Sequence, residues 1–208
     1  MPELPEWISE YLKRWDVRQW DWSQLDLDRW IAALVIAAAA LVLLQVVNSL
    51  VGRRARRLAE ADRFRWAELV ADLADRTKFP FLLIEALFLG SLVLLLPDRA
   101  RSILNAVAII TLIVQAAIWG SATVTYLVTR YAKQRMEADP TSVTTISAVG
   151  VLGRIVIYSV AVLLVLDNLG VDITAMVAGL GIGGVAVALA AQNILGDLFA
   201  SASIVLDK

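Results

Sequence analysis

The chain contains neither cysteine nor histidine among its 208 residues. Without cysteine it has no disulfide, thiolate nucleophile or thiolate metal site, and without histidine it lacks the commonest acid–base group and metal ligand of proteins. We therefore expect a protein that is not an enzyme and holds no metal or cofactor. Neither sign of charge is in excess, because the chain has 19 basic and 20 acidic residues. This balance argues against a strongly basic nucleic-acid-binding protein and against an acidic disordered tail.

Apolar residues, in contrast, make up 59% of the chain, where a soluble domain has about 45–50%. They are clustered in five runs, at 31–51, 79–96, 103–128, 148–166 and 173–191. A helix needs roughly 20 apolar residues to cross the hydrocarbon core of a bilayer. The runs therefore predict an all-α membrane protein with five transmembrane helices, the second of which is the shortest.

Lysine and arginine are unevenly shared between the two sides that five crossings would create. Eleven of them lie in the loops after the first and third runs, and six lie before the first run and in the loop after the second. Because basic loops stay in the cytoplasm, the distribution predicts an outer N-terminus and a cytoplasmic C-terminus.

Residues 1–30 carry five tryptophans and seven acidic residues ahead of the first run. Trp7, Ile8, Tyr11, Leu12 and Trp15 recur at helical spacing, and tryptophan favours the headgroup level of a bilayer. We interpret this part as an amphipathic segment on the outer membrane surface. The alternative is that these residues pack on the other helices as ordinary core.

The cytoplasmic loop at 52–78 begins with a basic cluster of Arg53, Arg54, Arg56 and Arg57. Anionic headgroups attract such clusters by about 1 kcal/mol per charge. The cluster therefore predicts contact with membrane lipids, either as a specific lipid site or as ordinary anchoring of the topology.

Two charges, Glu85 and Arg154, interrupt the second and fourth runs about 9 Å from the cytoplasmic side. Their equal depth permits an ion pair. An intramembrane charge is often part of a proton relay, but a shallow arginine also snorkels to the interface, so a relay and a structural role both stay open.

The fifth run is unusual because four glycines fall within the six residues 179–184. Three of them satisfy the G-x-G-x-x-G pattern, which signals a dinucleotide site only in a β-α-β unit, and no such unit surrounds them. Close helix packing is a better reason, since membrane helices associate through small residues. Two stripes recur at helical spacing, one formed by Gly181, Gly184 and Ala188 and the other by Ala178, Ile182 and Ala186. They suit either a ring of identical helices or packing within one chain.

Beyond this run, Gln192, Asn193, Gly196 and Asp197 add polarity and a flexible point, which predicts a bend in the helix. The residues that follow keep an apolar stripe, typical of an amphipathic helix on the inner membrane surface or at the edge of a cytoplasmic domain.

Three stretches in the last third of the chain, 169–174 (LGVDIT), 178–192 (AGLGIGGVAVALAAQ) and 193–199 (NILGDLF), are specific. Together they resemble the mechanosensitive channel of small conductance (MscS-like) family, over about residues 140–208. The first three runs match that family only in hydropathy and orientation.

The resemblance implies a homo-oligomeric channel, as a heptamer, in the inner (plasma) membrane of a bacterium. Val185 and Leu189 would form the pore constriction, and Gly181, Gly184 and Ala188 would pack on Ala178 and Ala186 of the next subunit. Gln192 and Asn193 would mark the kink. Residues 31–166 would form a four-helix membrane-sensing region, and 167–208 the pore helix and the start of a cytoplasmic helix. The family continues beyond such a sequence into a β-rich cytoplasmic domain.

The function implied is an ion channel, opened by membrane tension, that releases ions and small solutes on osmotic downshock. Its partners would be lipids and copies of itself. Rival readings are a related channel gated by a ligand or another domain, a proton-coupled transporter using Glu85 and Arg154, and a non-conducting membrane scaffold.

Overall fold

The computed structural model describes residues 27–60, 66–135 and 140–206, and for 134–135, 140–145, 191 and 193–206 it describes the backbone alone. Within these ranges the chain forms six helices and no strand, as the all-α prediction requires. The helices are α1 (Leu27–Glu60), α2 (Ala67–Arg76), α3 (Phe79–Ser91), α4 (Asp98–Arg135), α5 (Pro140–Asn168) and α6 (Thr174–Leu206). The predicted amphipathic segment at 1–30 lies outside the described residues except for its last four.

Three of the helices are long and apolar enough to cross a membrane: α1, α4 over Asp98–Lys133 and α5 over Ile146–Asn168. The other two predicted spans are shorter apolar helices, Phe79–Ser91 and the stretch Thr174–Ala190 of α6. All five apolar runs are thus helical. Five complete crossings stay a prediction.

The second run is the shortest helix of the five, because α3 has only 13 residues and rises about 20 Å. Its backbone continues in tight turns, since the N–H groups of Leu92, Val93 and Leu94 each donate to the carbonyl three residues earlier. These turns extend the hydrogen-bonded length to about 25 Å. The run therefore approaches the roughly 30 Å of a hydrocarbon core without leaving these backbone groups unpaired.

Small residues form the contact between α1 and α3. Ala33 and Ala37 on α1 are buried, as are Ala86 and Gly90 on α3, and Ala86 is only 1% exposed. A Cβ atom built on Gly90 would lie 2.5 Å from the Ala33 carbonyl oxygen and 2.8 Å from the Ala37 Cβ. Each helix thus contributes two small residues four apart, which is the spacing that lets membrane helices approach closely.

Helices α2 and α3 both pack along α1, in the opposite direction to it. Helix α2 contacts the C-terminal half of α1. A Cβ built on Gly52 would lie 3.3 Å from the Ala74 Cβ, and the Asn48 side-chain amide donates to the Ala74 carbonyl at 3.1 Å. Arg56 adds an exposed ion pair with Asp75 at 3.1 Å, which contributes little because water screens it. Small residues and one amide therefore hold α2 in place.

The break between α2 and α3 leaves a carbonyl and a hydroxyl that accept hydrogen bonds from side chains of α4. Pro80 has no N–H to donate to the Arg76 carbonyl four residues earlier, and the Gln115 side-chain amide donates to that oxygen instead, at 3.4 Å. The Trp119 indole N–H donates to the Thr77 hydroxyl at 3.2 Å. Gln115 is only 3% exposed, and an amide buried in an apolar helix needs such a partner.

Helices α4 and α5 are antiparallel, and three contacts between them place a glycine against a β-branched side chain. Built Cβ atoms on Gly120 and Gly153 would lie 3.4 Å from methyl groups of Ile157 and Val124, respectively. On Gly150 the corresponding distance to a Val128 methyl is 2.6 Å. From Gly120 to Val128 on α4, the partners on α5 run from Ile157 back to Gly150. These pairs define how the two antiparallel helices are aligned.

We expect Gly90→Ala to destabilise the protein by about 1–3 kcal/mol, because the added methyl overlaps Ala33 and Ala37 and forces α1 and α3 apart. Thermal unfolding in detergent measures the loss. Gly153→Ala is the matched control, since its methyl meets Val124 at an ordinary contact distance of 3.4 Å. Equal stability of the two variants would show that the α1–α3 contact is not close-packed.

Candidate pore helix

The turn between α5 and α6 depends on a glycine in the left-handed conformation. Gly170 has φ of 82°, a region that L-residues with a Cβ rarely adopt. The Gly170 N–H donates to the Asp167 carbonyl at 2.9 Å, and the Val171 N–H donates to the Leu166 carbonyl at 3.0 Å. This pair of bonds is the Schellman motif, which satisfies the last carbonyls of a helix and ends it.

Asp172 then starts α6. Its carboxylate accepts the Thr174 backbone N–H at 2.9 Å, which satisfies one of the unpaired donors at a helix start. Hydrogen bonds from the Thr174 hydroxyl and then from its N–H lower the pKa of the Asp172 carboxyl. Because the folded pKa is depressed, the contact contributes stability above the ordinary aspartate range and loses it as the pH falls through the folded value. At neutral pH Asp172 is ionised.

The first half of α6 is an exposed apolar helix with many small residues. Every residue from 174 to 190 is exposed, and Cβ atoms built on Gly179, Gly181, Gly183 and Gly184 would meet nothing within 4 Å. Val185 is 60% exposed and Leu189 62%. The stretch is therefore a 17-residue apolar helix whose small residues are all available to another surface.

The helix presents the two small-residue stripes on either side of the predicted constriction residues. At 3.6 residues per turn, the centre of the stripe Gly181, Gly184 and Ala188 lies about 130° from that of Ala178, Ile182 and Ala186. Val185 lies within about 10° of the direction midway between the stripes, and Leu189 within about 45°. The predicted constriction and packing residues thus share one half of the helix surface.

The opposite face of the same helix carries larger apolar side chains. Met176, Leu180 and Val187 lie roughly 140–180° from Val185 around the helix axis, and Val187 is 70% exposed. Bulky apolar side chains suit a lipid-facing or helix-facing surface, whereas the small residues suit close backbone approach.

The residues of the predicted bend fall within one helix, since α6 runs from Thr174 to Leu206. Gln192 is exposed, and the side chains of Asn193 and Gly196 lie outside the described part of the chain. The bend itself stays a prediction.

Glu85 and Arg154, both among the described residues, make no ion pair with each other. Glu85 is half-buried on α3, and its Oε1 atom is buried without a hydrogen-bond partner. Arg154 is half-buried on α5, next to Gly153, which contacts Val124 of α4. The pairing that their equal depth permits is therefore absent from the single chain.

Within the basic cluster, Arg56 differs from its neighbours because its side chain turns to Asp75 on α2 and to the Gly52 carbonyl. Arg53, Arg54 and Arg57 are exposed. A lipid-facing role for the cluster remains a prediction, which the geometry favours for these three.

Three residues that position the helices were not singled out from the sequence: Asn48, Gln115 and Trp119. The available signal was an amide inside an apolar run, since Asn48 and Gln115 both interrupt such runs. Their partners, which are carbonyls and a hydroxyl at the α2–α3 break, depend on tertiary structure and cannot be read from spacing.

Comparison with known proteins finds relatives of the segment that contains the end of α5 and the first half of α6. Residues 152–192 match the family model for mechanosensitive ion channel, transmembrane helices 2/3. The chain is 54% identical over 57 residues to the large-conductance mechanosensitive channel MscMJLR of Methanocaldococcus jannaschii, a match that covers 27% of this chain and 16% of that protein. It is 42% identical over 55 residues to the small-conductance mechanosensitive channel MscMJ of the same organism, covering 26% and 16%.

An uncharacterized MscS family protein of Helicobacter pylori is 50% identical over 52 residues, covering 25% of this chain and 8% of that protein. No solved structure matches the chain. The matched segment spans a sixth or less of the length of these relatives. Even so, the matches confirm the predicted resemblance to MscS-like channels over this segment of the chain.

We expect Gly170→Ala to destabilise the protein by about 1–2 kcal/mol, because the Cβ of alanine is strained in the left-handed conformation at φ of 82°. Gly170→Asn is the matched control, since asparagine tolerates this conformation better. Thermal unfolding of both variants in detergent measures the difference. An alanine variant as stable as wild type would mean that the turn does not need a positive φ.

Proposed function

We propose that this chain is the membrane part of a tension-gated ion channel in which α6 of each copy lines a central pore. The observation that carries the proposal is the exposed α6 with its two small-residue stripes flanking Val185 and Leu189. The similarity of this segment to named mechanosensitive channels supports the same conclusion.

A ring explains why α6 has small residues on two sides. In a closed ring of n helices the neighbours of each helix are separated by 180° − 360°/n, which is about 120°, 129° and 135° for six, seven and eight copies. The stripes are separated by about 130°. Each helix then packs one stripe on the other stripe of its neighbour, a separation that suits the heptamer and the rings next to it in size.

The direction midway between the two stripes faces the centre of such a ring. Val185 and Leu189 would line the pore there as two apolar rings about one helical turn apart. A narrow apolar constriction blocks ions because water withdraws from it, and widening restores conduction. The absence of charge from Ile173 to Ala191 fits an apolar constriction.

Tension opens the pore if the open ring occupies more membrane area than the closed one, because a force shifts a two-state equilibrium only through a difference between the states. Helices α1, α3, α4 and α5 carry the lipid-exposed surface on which tension acts, with the N-terminus outside and the C-terminus in the cytoplasm. We place the channel in the cytoplasmic membrane of a bacterium, where it would release ions and small solutes on osmotic downshock.

We expect Leu189→Ser to lower the tension at which the channel opens, because a hydroxyl favours wetting of the constriction. Patch recording of the complete protein under graded suction measures the threshold. Val187→Ser is the matched control, since it makes the same change on the opposite face of α6 and should leave the threshold unchanged.

An unchanged threshold in Leu189→Ser, or an equal shift in both variants, would place the gate elsewhere. A complete, assembled protein that gives no current at saturating tension would contradict the proposal that tension opens the channel. Current that follows a ligand but not tension would support a related channel opened in another way.

We further expect Gly184→Leu to prevent assembly, because the side chain would separate neighbouring helices in the ring. Gly183→Leu is the control, since Gly183 lies on the opposite side of α6. Size-exclusion chromatography with light scattering in detergent measures the oligomer. A Gly184→Leu ring of wild-type size would contradict the assignment of the stripe.

A further inference from the structure

The pore-forming part of the chain carries charge of only one sign. Between Arg154 and Lys208 the sequence contains no lysine or arginine, but four aspartates, at 167, 172, 197 and 207. Asp167 lies in the last turn of α5 and Asp172 on the turn that follows it, and both are exposed. The turn where each copy would enter the ring is thus acidic.

We propose that Asp172 is a selectivity-determining residue that, with Asp167 nearby, makes the outer mouth of the pore prefer cations. This inference rests on the proposed function, since it needs α6 to line the pore. The charges act through their field on ions in the mouth, and no ion needs to bind.

The position of Asp172 is fixed by its hydrogen bond to the start of α6. Its carboxylate is held 2.9 Å from the Thr174 N–H, so it stays at the helix end. Thirteen residues separate it from Val185, about 20 Å along the axis. One such carboxylate per copy would therefore form a ring of charge at the mouth, well outside the apolar constriction.

Helix dipoles do not cancel this charge. The start of α6 carries about half a positive charge, but the end of α5 at the same turn carries about half a negative one. The two aspartates therefore leave each turn with a net negative charge of about two. Rings of acidic side chains at a pore entrance raise the local cation concentration and lower that of anions.

Salt concentration separates this mechanism from a structural one. The field of an exposed charge extends over about 10 Å in 0.1 M salt and about 3 Å in 1 M salt. An effect of Asp172 on permeation should therefore be large at low salt and small at high salt, whereas a distorted pore would differ from wild type at both.

Asp172→Asn is the decisive variant, because asparagine keeps an oxygen that accepts the Thr174 N–H but removes the charge. The experiment measures reversal potentials of tension-activated currents of the complete protein in KCl gradients at low and high concentration. We expect the potassium-to-chloride permeability ratio to fall by roughly twofold or more in dilute salt, and Asp172→Lys to shift it further towards chloride. Asp28→Asn, a neutralisation at the first turn of α1, should leave it unchanged.

The selectivity assignment is overturned if Asp172→Asn keeps the wild-type ratio in dilute salt, or if its change is equally large in concentrated salt. Asp167→Asn leaves the start of α6 intact and should shift the potassium-to-chloride permeability ratio in the same direction. It replaces Asp172→Asn in the experiment if that variant fails to assemble. A wild-type protein without tension-activated current would instead overturn the proposed function, and the selectivity assignment with it.

Discussion

Helices inside a lipid bilayer gain no hydrophobic free energy by touching each other, because the lipid tails they leave are as apolar as the side chains they meet. Close approach of the backbones has to supply the attraction. Several helix contacts in the described part of the chain follow this constraint: Gly90 against Ala33, Gly52 against Ala74, and glycines of α4 and α5 against β-branched side chains. On α6 the small residues are exposed, and in the proposed ring they would form a surface for other copies.

Polar groups inside the helical unit follow a complementary constraint, since a carbonyl without a partner is costly where water is scarce. The break at Pro80 creates such a carbonyl, and Gln115 from α4 satisfies it. The Asn48 side-chain amide donates to the Ala74 carbonyl, in the last turn of α2. Two amides and one indole thus link α1 and α4 to the end of α2. All three hydrogen bonds end within residues 74–77, so the polar groups at the break have partners.

The sequence predicted the helical runs well, because hydropathy and a period of 3.6 residues are local properties, whereas the packing role of the stripes on α6 stays a prediction. It also picked out the segment from Leu169 to Thr174, now explained by the positive φ of Gly170 and the hydrogen bond to Asp172. It did not predict helix α2 within the loop at 52–78 or the shared amides, because these depend on which helices are neighbours. Depth alone permitted a pair between Glu85 and Arg154, but the single chain does not form it, and the Glu85 Oε1 atom has no hydrogen-bond partner.

The central claim, that one face of α6 lines the conducting pore, is tested most directly by thiol accessibility. Because the chain contains no cysteine, Leu189→Cys and Val187→Cys each introduce a single reactive site on opposite faces of the helix. The measurement is the single-channel current under tension before and after a charged methanethiosulfonate reagent is added. The account predicts a changed current for Leu189→Cys and none for Val187→Cys or wild type. Leu189→Cys channels that open, react with the reagent and keep their current unchanged would contradict it.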